Sequence, residues 1–281
     1  MTHKLLNRTN ILKLIIFIAF IFFLFFSIAL FIIIPSNNYK LYLTIALFIS
    51  STILLIACLI KIYLDLNKNR EEIRDHFIQT EASIQITKLI NPIIPFPTSG
   101  DWAATSHFIA VLFKYIIKNK PKTIVELGSG VSTLYSSQLI KDFNLSTQVI
   151  SLDHEKTYGS KTNEYLKDAQ LDNNAQVIIA PLTTHTINDK NWKWYETTGL
   201  KKEQKIDLLV VDGPITYLQS NARYPAIPIL FSMLSPKAII LVDDYNRKDE
   251  QAIVKLWLEE YDITLIEEVS SVKGYAVLQK N

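Results

Sequence analysis

The chain has 281 residues, of which 49% are hydrophobic, and its 29 Lys and Arg nearly balance its 27 Asp and Glu. This length allows one sizeable domain and an additional segment. The charge balance, without a basic stripe, gives no reason to expect a nucleic-acid partner. The single cysteine, Cys58, excludes an intramolecular disulfide and a cysteine-ligated metal cluster.

Two uncharged stretches near the N-terminus are each long enough to span a membrane as a helix. They cover residues 14–34 and 41–60, and a span needs about 20 apolar residues. A cleaved signal peptide fits less well, because the first stretch is too long for its hydrophobic region and a second stretch follows directly. We therefore predict a transmembrane hairpin over residues 1–60, with the lipid bilayer as a partner.

Basic residues flank this predicted hairpin on both outer sides. They are Lys4, Arg8 and Lys13 before the first span and Lys61, Lys68, Arg70 and Arg74 after the second, whereas the connecting loop carries only Lys40. The positive-inside rule places both ends in the cytoplasm. We expect a multi-pass protein of the inner membrane with a cytoplasmic domain.

Residues 61–94 are rich in charge and carry spaced apolar residues, which predicts a helical, partly amphipathic connector. This helix is either a solvated spacer or a surface for homo-oligomer formation. Three prolines within residues 91–97 end it. The second domain is therefore expected to cover residues 95–281.

Strands and helices alternate in this domain, which predicts an α/β fold with a parallel sheet. We expect strands at residues 123–127, 148–152, 176–180, 206–211 and 238–242, and helices at residues 107–118, 131–141, 158–170, 219–234 and 248–261. Two final strands, 263–268 and 274–278, are joined by a short linker that suits a hairpin. Residues 183–205 are long for a connection and are predicted to form a lid or substrate wall, or else to pack onto the domain.

The first of these strands runs into Gly128-Ser129-Gly130 and then into a helix. Such a turn brings a nucleotide-like ligand onto a helix N-terminus. A dinucleotide fingerprint would place a third glycine where Thr133 stands. Instead, Glu126 precedes the turn, and the pattern resembles E-x-G-x-G, motif I of class I S-adenosylmethionine (SAM)-dependent methyltransferases. The resemblance implies that SAM is the cofactor and that its contacts include Glu126, Gly128, Ser129, Gly130 and Ser132.

Further cofactor contacts are implied at the ends of the next two strands. In the family an acid at the position of Asp153 binds the ribose hydroxyls, and residues at the positions of His154 and Pro181 line the adenine. Asp153 could instead cap the following helix, and His154 could instead face solvent.

Three carboxylates, Asp212, Asp243 and Asp244, follow two strands that are expected to be neighbours. They could bind Mg²⁺, which prefers oxygen ligands, and this resembles the metal-dependent O-methyltransferases. Alternatively, Asp212 is a general base or a substrate-positioning group, and Asp243 and Asp244 cap the next helix. Asp212 and Asp243 are the predicted catalytic residues, and Asp212 is also a predicted cofactor contact.

A wider set of motifs resembles the methyltransferase-24 group of bacterial class I methyltransferases. The motifs are Trp102-Ala-Ala, Glu126 to Thr133, Asp212-Gly-Pro214, Arg223-Tyr-Pro-Ala226 and Asp243-Asp244. The resemblance begins near residue 95 and implies a Rossmann-like seven-stranded sheet, with Trp102, Arg223 and Tyr224 as substrate contacts. Pro214 stands where one common form of the group has a histidine, so no acid–base role is carried over to it.

Together these patterns predict a membrane-anchored, SAM-dependent methyltransferase. We expect O-methylation of a sugar, a glycolipid or another hydroxyl-bearing acceptor, and a lipid-linked sugar suits the membrane location. Two alternatives are a catalytically silent SAM-binding scaffold and a Rossmann NAD-dependent oxidoreductase.

Overall fold

The computed structural model describes residues 38–98, 103–201, 203–215, 218–270 and 273–281, with isolated positions 20, 21, 25, 28 and 32. The chain divides into two compact units, residues 1–73 and 74–281. The first predicted membrane span falls largely outside the described residues, and so does Trp102.

A 52-residue helix, α1 (Asn38–Leu89), contains both the second predicted span and the predicted connector. Within the described residues it is the one helix long and apolar enough to cross a membrane, with a mean hydropathy of 2.6 in its most apolar window. Hydroxyls in its apolar part bond back to the preceding turn, as Thr44 Oγ1 does to the Lys40 carbonyl at 2.6 Å. The hairpin of two spans stays a prediction.

The last turns of α1 belong to the second unit. Ala82 and Ile86 are buried there, and the Gln79 side chain accepts a hydrogen bond from the backbone N–H of His107 at 2.9 Å. His107 lies in the first turn of α2 (Ser106–Asn119), whose N-terminus is capped by Thr105. The connector is therefore helical, as predicted, and packs onto the domain at its C-terminal end.

The second unit contains one seven-stranded mixed sheet with strand order β3-β2-β1-β6-β7-β9-β8 and one separate hairpin, β4-β5. The strands are β1 (Thr123–Leu127), β2 (Gln148–Asp153), β3 (Ala175–Ile179), β4 (Leu182–Ile187), β5 (Lys190–Tyr195), β6 (Ile206–Val211), β7 (Leu234–Asp243), β8 (Ile263–Val269) and β9 (Tyr275–Lys280). The remaining helices are α3 (Val131–Asp142), α4 (Lys156–Asp168), α5 (Ala226–Leu230) and α6 (Lys248–Glu260). The Rossmann-like sheet with a C-terminal hairpin is confirmed.

Two sequence predictions about connections were wrong. The predicted helix over residues 219–234 is reduced to α5 and a short 3₁₀ turn, Phe231–Met233, because Pro225 and Pro228 lack the N–H that a longer helix needs. Residues 183–195 form the β4-β5 hairpin instead of an irregular loop. Its turn residues Asn188 and Asp189 both have positive φ, which is the backbone conformation of a tight two-residue hairpin turn.

Both faces of the sheet are buried, and alternation along β1 shows how. Ile124 faces the core that α2, α3 and α4 complete, whereas Val125 and Leu127 face the core formed with the β4-β5 hairpin, α5 and α6. By the same alternation Glu126 points to the side of α3. A charged group is thereby placed under the start of a helix, next to the glycine turn.

Candidate functional site

The glycine turn after β1 requires its glycines for two different reasons. Gly128 has φ +98°, and a Cβ on it would lie 3.3 Å from the backbone oxygen of Asp212, so the ends of β1 and β6 approach too closely for a side chain. A Cβ on Gly130 would meet no atom within 4 Å. The turn therefore opens a space at the N-terminus of α3.

Glu126 organises this turn from below and is only 2% exposed. Its carboxylate accepts hydrogen bonds from the hydroxyls of Ser132 and Thr133 in the first turn of α3. The Thr133 hydroxyl also accepts one from the Gly130 N–H at 3.1 Å. Burial raises the pKa of Glu126 to about 7, against the opposing effect of these hydroxyls. Its contacts are thus to the turn, and its predicted contact with SAM stays a prediction.

Asp153, at the end of β2, is joined to the same turn. One carboxylate oxygen accepts hydrogen bonds from the Ser129 N–H at 3.1 Å and from the Ser129 hydroxyl, and the other accepts one from the Glu155 N–H at 2.9 Å. Asp153 is buried, and α4 begins without a side-chain cap. The carboxylate is therefore held beside the open space at Gly130 and does not serve as a helix cap.

The next predicted cofactor residues lie close to Asp153. His154 packs edge-on against Tyr195 with ring centroids 5.9 Å apart, and its Nδ1 is buried without a hydrogen-bond partner in the described part of the chain. Pro181 follows β3 and is exposed. The structure thus brings all the predicted SAM contacts except Asp212 to the ends of β1, β2 and β3.

Asp212, Asp243 and Asp244 meet because β6 and β7 are parallel neighbours with Val211 opposite Val242. One oxygen of each of the three lies within 4.8 Å of the others. Asp244 has φ +60°, a conformation that Asp tolerates better than most residues, and its N–H donates to the Asp243 carboxylate at 2.8 Å. We call this set the acid cluster. The alternative that Asp243 and Asp244 cap α6 was wrong, because no side chain caps that helix.

Burial dominates the electrostatics of the acid cluster. It raises the pKa of Asp212 to about 7, and the carboxylate of Asp244 adds to this while Arg223 opposes it. It also holds the pKa of Asp243 well above its usual range, with Asp212 and Asp244 acting in the same direction. The Asp212 side chain is 20% exposed and that of Asp244 only 6%, so Asp212 is the more accessible to a substrate.

Arg223 lies inside the acid cluster, where its side chain is 4% exposed. Its Nη2 is 2.9 Å from Asp244 Oδ2 and 3.4 Å from Asp212 Oδ1, and its Nη1 donates to the backbone oxygen of Asp243 at 3.0 Å. Its Nε is 3.5 Å from a carboxylate oxygen of the buried Glu250. The sequence resemblance placed Arg223 at the substrate, a prediction that stays untested; its observed contacts are all to the protein's own acids and backbone.

The acid cluster has features both for and against a divalent metal ion. Three carboxylates within reach of one another supply the oxygen donors that Mg²⁺ prefers. One oxygen of Asp244 is buried and lacks a hydrogen-bond partner among the described residues. The guanidinium of Arg223, however, already contacts two of the three carboxylates. A cation therefore occupies part of the space that a metal would need.

Tyr195, at the end of β5, is a site residue that sequence reasoning placed only in a loop. It is fully buried, and a Cβ on Gly213 would collide with its hydroxyl. Asp153 and Asp212 are both within electrostatic reach, and burial raises the pKa of Tyr195 well above its usual range. The hydroxyl therefore lies between the two ends of the site. The Asn-Asp turn of the hairpin was the sequence signal that could have located it.

Tyr224 adjoins Arg223 but points elsewhere. Its ring packs on Trp192 with centroids 4.9 Å apart, and its hydroxyl donates to Glu260. Its backbone oxygen accepts a hydrogen bond from Trp257 Nε1 at 2.9 Å. These contacts give Tyr224 a packing role, and its predicted contact with substrate is untested.

The strand order and the turn after β1 define a Rossmann-like methyltransferase fold. A methyltransferase-24 family model, described as a methyltransferase domain, matches residues 125–245. This range contains the glycine turn, Asp153, Arg223 and the acid cluster, so the resemblance seen in the sequence is confirmed there. No curated protein matches the chain significantly.

Solved structures agree on the fold. A methyltransferase of Podospora anserina bound to S-adenosylhomocysteine (SAH) is 14% identical, with a TM-score of 0.50 over 73% of this chain and 88% of that one. An O-methyltransferase of Bacillus cereus in complex with SAH is 11% identical, with a TM-score of 0.48 over 73% of this chain and 91% of that one. The O-methyltransferase TomG of Streptomyces achromogenes, in complex with SAM, is 11% identical with a TM-score of 0.48, over 64% and 82% of the two chains.

Proposed function

We propose that this protein is a SAM-dependent methyltransferase that methylates a hydroxyl oxygen of its acceptor. The observation that carries the proposal is the open space at Gly130, bordered by the fixed carboxylate of Asp153 and lying near the end of β6, where Asp212 follows. The match of residues 125–245 to a methyltransferase domain supports it. SAM, when bound, would supply a methyl group activated by a sulfonium centre.

The residues around the turn suit the polar parts of SAM. The N-terminus of α3 offers backbone N–H groups and a positive dipole end to a carboxylate. The Asp153 carboxylate keeps acceptor capacity for ribose hydroxyls, because each of its oxygens can accept more than one hydrogen bond. His154 and Pro181 would flank the adenine. Glu126 would act through the turn, by holding Ser132 and Thr133 in place.

Asp212 is the proposed general base, because it is the more exposed member of the acid cluster and lies at the end of the strand beside the turn. The acceptor hydroxyl would give its proton to the Asp212 carboxylate while its oxygen forms the new bond to the methyl carbon. The carbon–sulfur bond breaks at the same time and its electron pair stays on sulfur. Most of the rate enhancement would come from holding the two centres in line.

Mg²⁺ is the second candidate for activating the hydroxyl. Asp212, Asp243 and Asp244 would hold it, and the partnerless oxygen of Asp244 is the observation in its favour. Such an ion lowers the pKa of a hydroxyl that binds it.

The acceptor is proposed to be a glycolipid or a lipid-linked sugar at the cytoplasmic face of the inner membrane. The support is α1, one helix that carries both the apolar residues 41–60 and the residues Ala82 and Ile86 that pack in the second unit. The exposed apolar side chains of Ile73, Phe77 and Ile84 on the same helix are offered as the homo-oligomer surface.

A catalytically silent SAM-binding protein is the alternative function, favoured by the engagement of Arg223 with the acids that catalysis would use. A transfer experiment separates the two functions. Membranes containing the full chain are incubated with SAM labelled on its methyl group, and label is measured in the lipid-soluble fraction.

We expect label that resists mild alkali, as an ether does and an ester does not. Membranes containing Asp212→Asn are the matched control and should accumulate little label. Equal labelling with the wild-type chain, the Asp212→Asn chain and no added chain would contradict the proposed activity.

A further inference from the structure

We infer that Arg223 is the resident cation of the acid cluster and takes the place of a divalent metal ion, so that the site works without metal. The inference uses the proposed methyl transfer only for the role of Asp212. The arrangement of charges stands on its own contacts.

The first argument is how completely the guanidinium serves the surrounding acids. Its Nη2 contacts Asp244 and Asp212, its Nη1 is bonded to the backbone of Asp243, and its Nε faces Glu250. Because its donors form a rigid, planar fork, one guanidinium can hold several oxygens at fixed relative positions. Those are the positions that ligands of a single metal ion would otherwise share.

The second argument is the charge that the site must balance. Asp212, Asp243, Asp244 and Glu250 bring four carboxyl groups into a largely buried space, and such groups need a compensating charge or a proton. Arg247 adds only a partly exposed partner, with its Nη1 2.9 Å from Asp244 Oδ2. A divalent ion placed beside Arg223 would meet like charge at close range.

The third argument is that Arg223 cannot easily leave. The N–H of Asn221, two residues earlier, donates to the Asp249 carboxylate at 2.9 Å. The next residue, Tyr224, accepts the indole hydrogen bond of Trp257 at 2.9 Å. Both partners lie on α6, so the backbone on either side of Arg223 is fixed. A metal ion could displace the guanidinium only by disrupting this packing.

Arg223 is therefore a positioning residue that orients the Asp212 carboxylate toward the acceptor. Because it supplies the positive charge, chelators should not affect activity. Replacing it with a neutral residue should convert the acid cluster into a metal-binding site, a change that a purely structural residue would not produce.

Mn²⁺ binding, measured by electron paramagnetic resonance on the full chain in detergent, tests the inference. At a free concentration of about 1 mM, within the range of weak carboxylate sites, the wild-type chain should bind no Mn²⁺ at this site. Arg223→Gln should bind one Mn²⁺ per chain, and the double variant Arg223→Gln/Asp243→Asn should lose it again. Arg247→Gln is the matched control, since it removes a cation from Asp244 but leaves Arg223, and it should not bind.

The wild-type chain alone suffices if Arg223→Gln fails to fold. One Mn²⁺ bound by the wild-type chain, and lost in Asp243→Asn, would overturn the inference. A folded Arg223→Gln chain that binds no Mn²⁺ would overturn it as well. Since this readout involves neither SAM nor turnover, a failure of the proposed methyl transfer would leave the Mn²⁺ result unchanged, and the two failures can be distinguished.

Discussion

Buried carboxylates lie at two places along the same edge of the sheet, and the protein stabilises them in different ways. At the end of β1, Glu126 is surrounded by the hydroxyls of Ser132 and Thr133. At the ends of β6 and β7, the acid cluster surrounds the guanidinium of Arg223. Hydroxyls can serve a carboxyl group in either protonation state, whereas a guanidinium favours only the ionised form.

This difference separates a structural role from a chemical one. Glu126 is almost completely buried and contacts only the turn that it organises. Asp212 keeps a fifth of its side chain exposed and is held by a fixed positive charge. The comparison therefore predicts that changes around Glu126 act through cofactor binding and stability, and that changes in the acid cluster act through turnover.

The largest expected effect comes from filling the space above Glu126. Gly130→Val should abolish detectable SAM binding in calorimetry, because its side chain would enter the open space where the cofactor backbone contact is proposed. Gly128→Ala is the matched control, since its Cβ meets the Asp212 backbone instead; it should cost about 1–3 kcal/mol of stability. Unchanged SAM affinity in Gly130→Val would show that this turn is not the cofactor site.

The next effect should appear on the other side of the comparison. Asp212→Asn should lower kcat by about 10²- to 10⁴-fold, the usual contribution of a general base, while the Kd for SAM stays within about twofold. Methyl transfer to a membrane extract and calorimetry with SAM give the two numbers. A variant that loses SAM affinity but keeps its kcat would assign Asp212 to the cofactor alone.

The buried carboxyl of Glu126 should make stability depend on pH. Its pKa is raised to about 7 in the folded chain, above the ordinary 4.5, so the folded state favours the protonated form. This stabilisation is full below pH 4.5 and is lost as the pH rises through about 7, an effect of about 3 kcal/mol.

Glu126→Gln should remove that effect, because its amide cannot ionise. Unfolding by urea at pH 5 and pH 8 measures it, and the difference between the two chains isolates Glu126 from Asp153 and the acid cluster. A pH dependence identical in both chains would mean that Glu126 keeps an ordinary pKa in the fold.

The smallest effect concerns the hydroxyl between the two regions. Tyr195→Phe should weaken SAM binding by about threefold to tenfold, the effect of one hydrogen bond. The free energy of unfolding should change little, because the hydroxyl has no hydrogen bond to a described residue. Loss of stability with unchanged SAM affinity would instead make Tyr195 a purely structural residue.

The glycine turn and the acid cluster could be predicted because each follows from local pattern or simple topology. Strand, glycines and helix stand in sequence from Thr123 onward, and the carboxyl ends of parallel strands such as β6 and β7 meet at one edge. Arg223 could not be placed, since its position depends on the packing of a loop against α6. The β4-β5 hairpin was missed because a run of aromatic residues suggested a lid, and the turn signal at Asn188-Asp189 was not used.

The central claim is that the space at Gly130 binds SAM, and a calorimetric titration of the full chain in detergent tests it most directly. SAM and NAD⁺ are titrated separately against the wild-type and Gly130→Val chains. The proposal predicts one SAM bound per wild-type chain, no binding of NAD⁺ and no binding of SAM to the variant. Binding of NAD⁺ without SAM, or of neither by a folded chain, would contradict it.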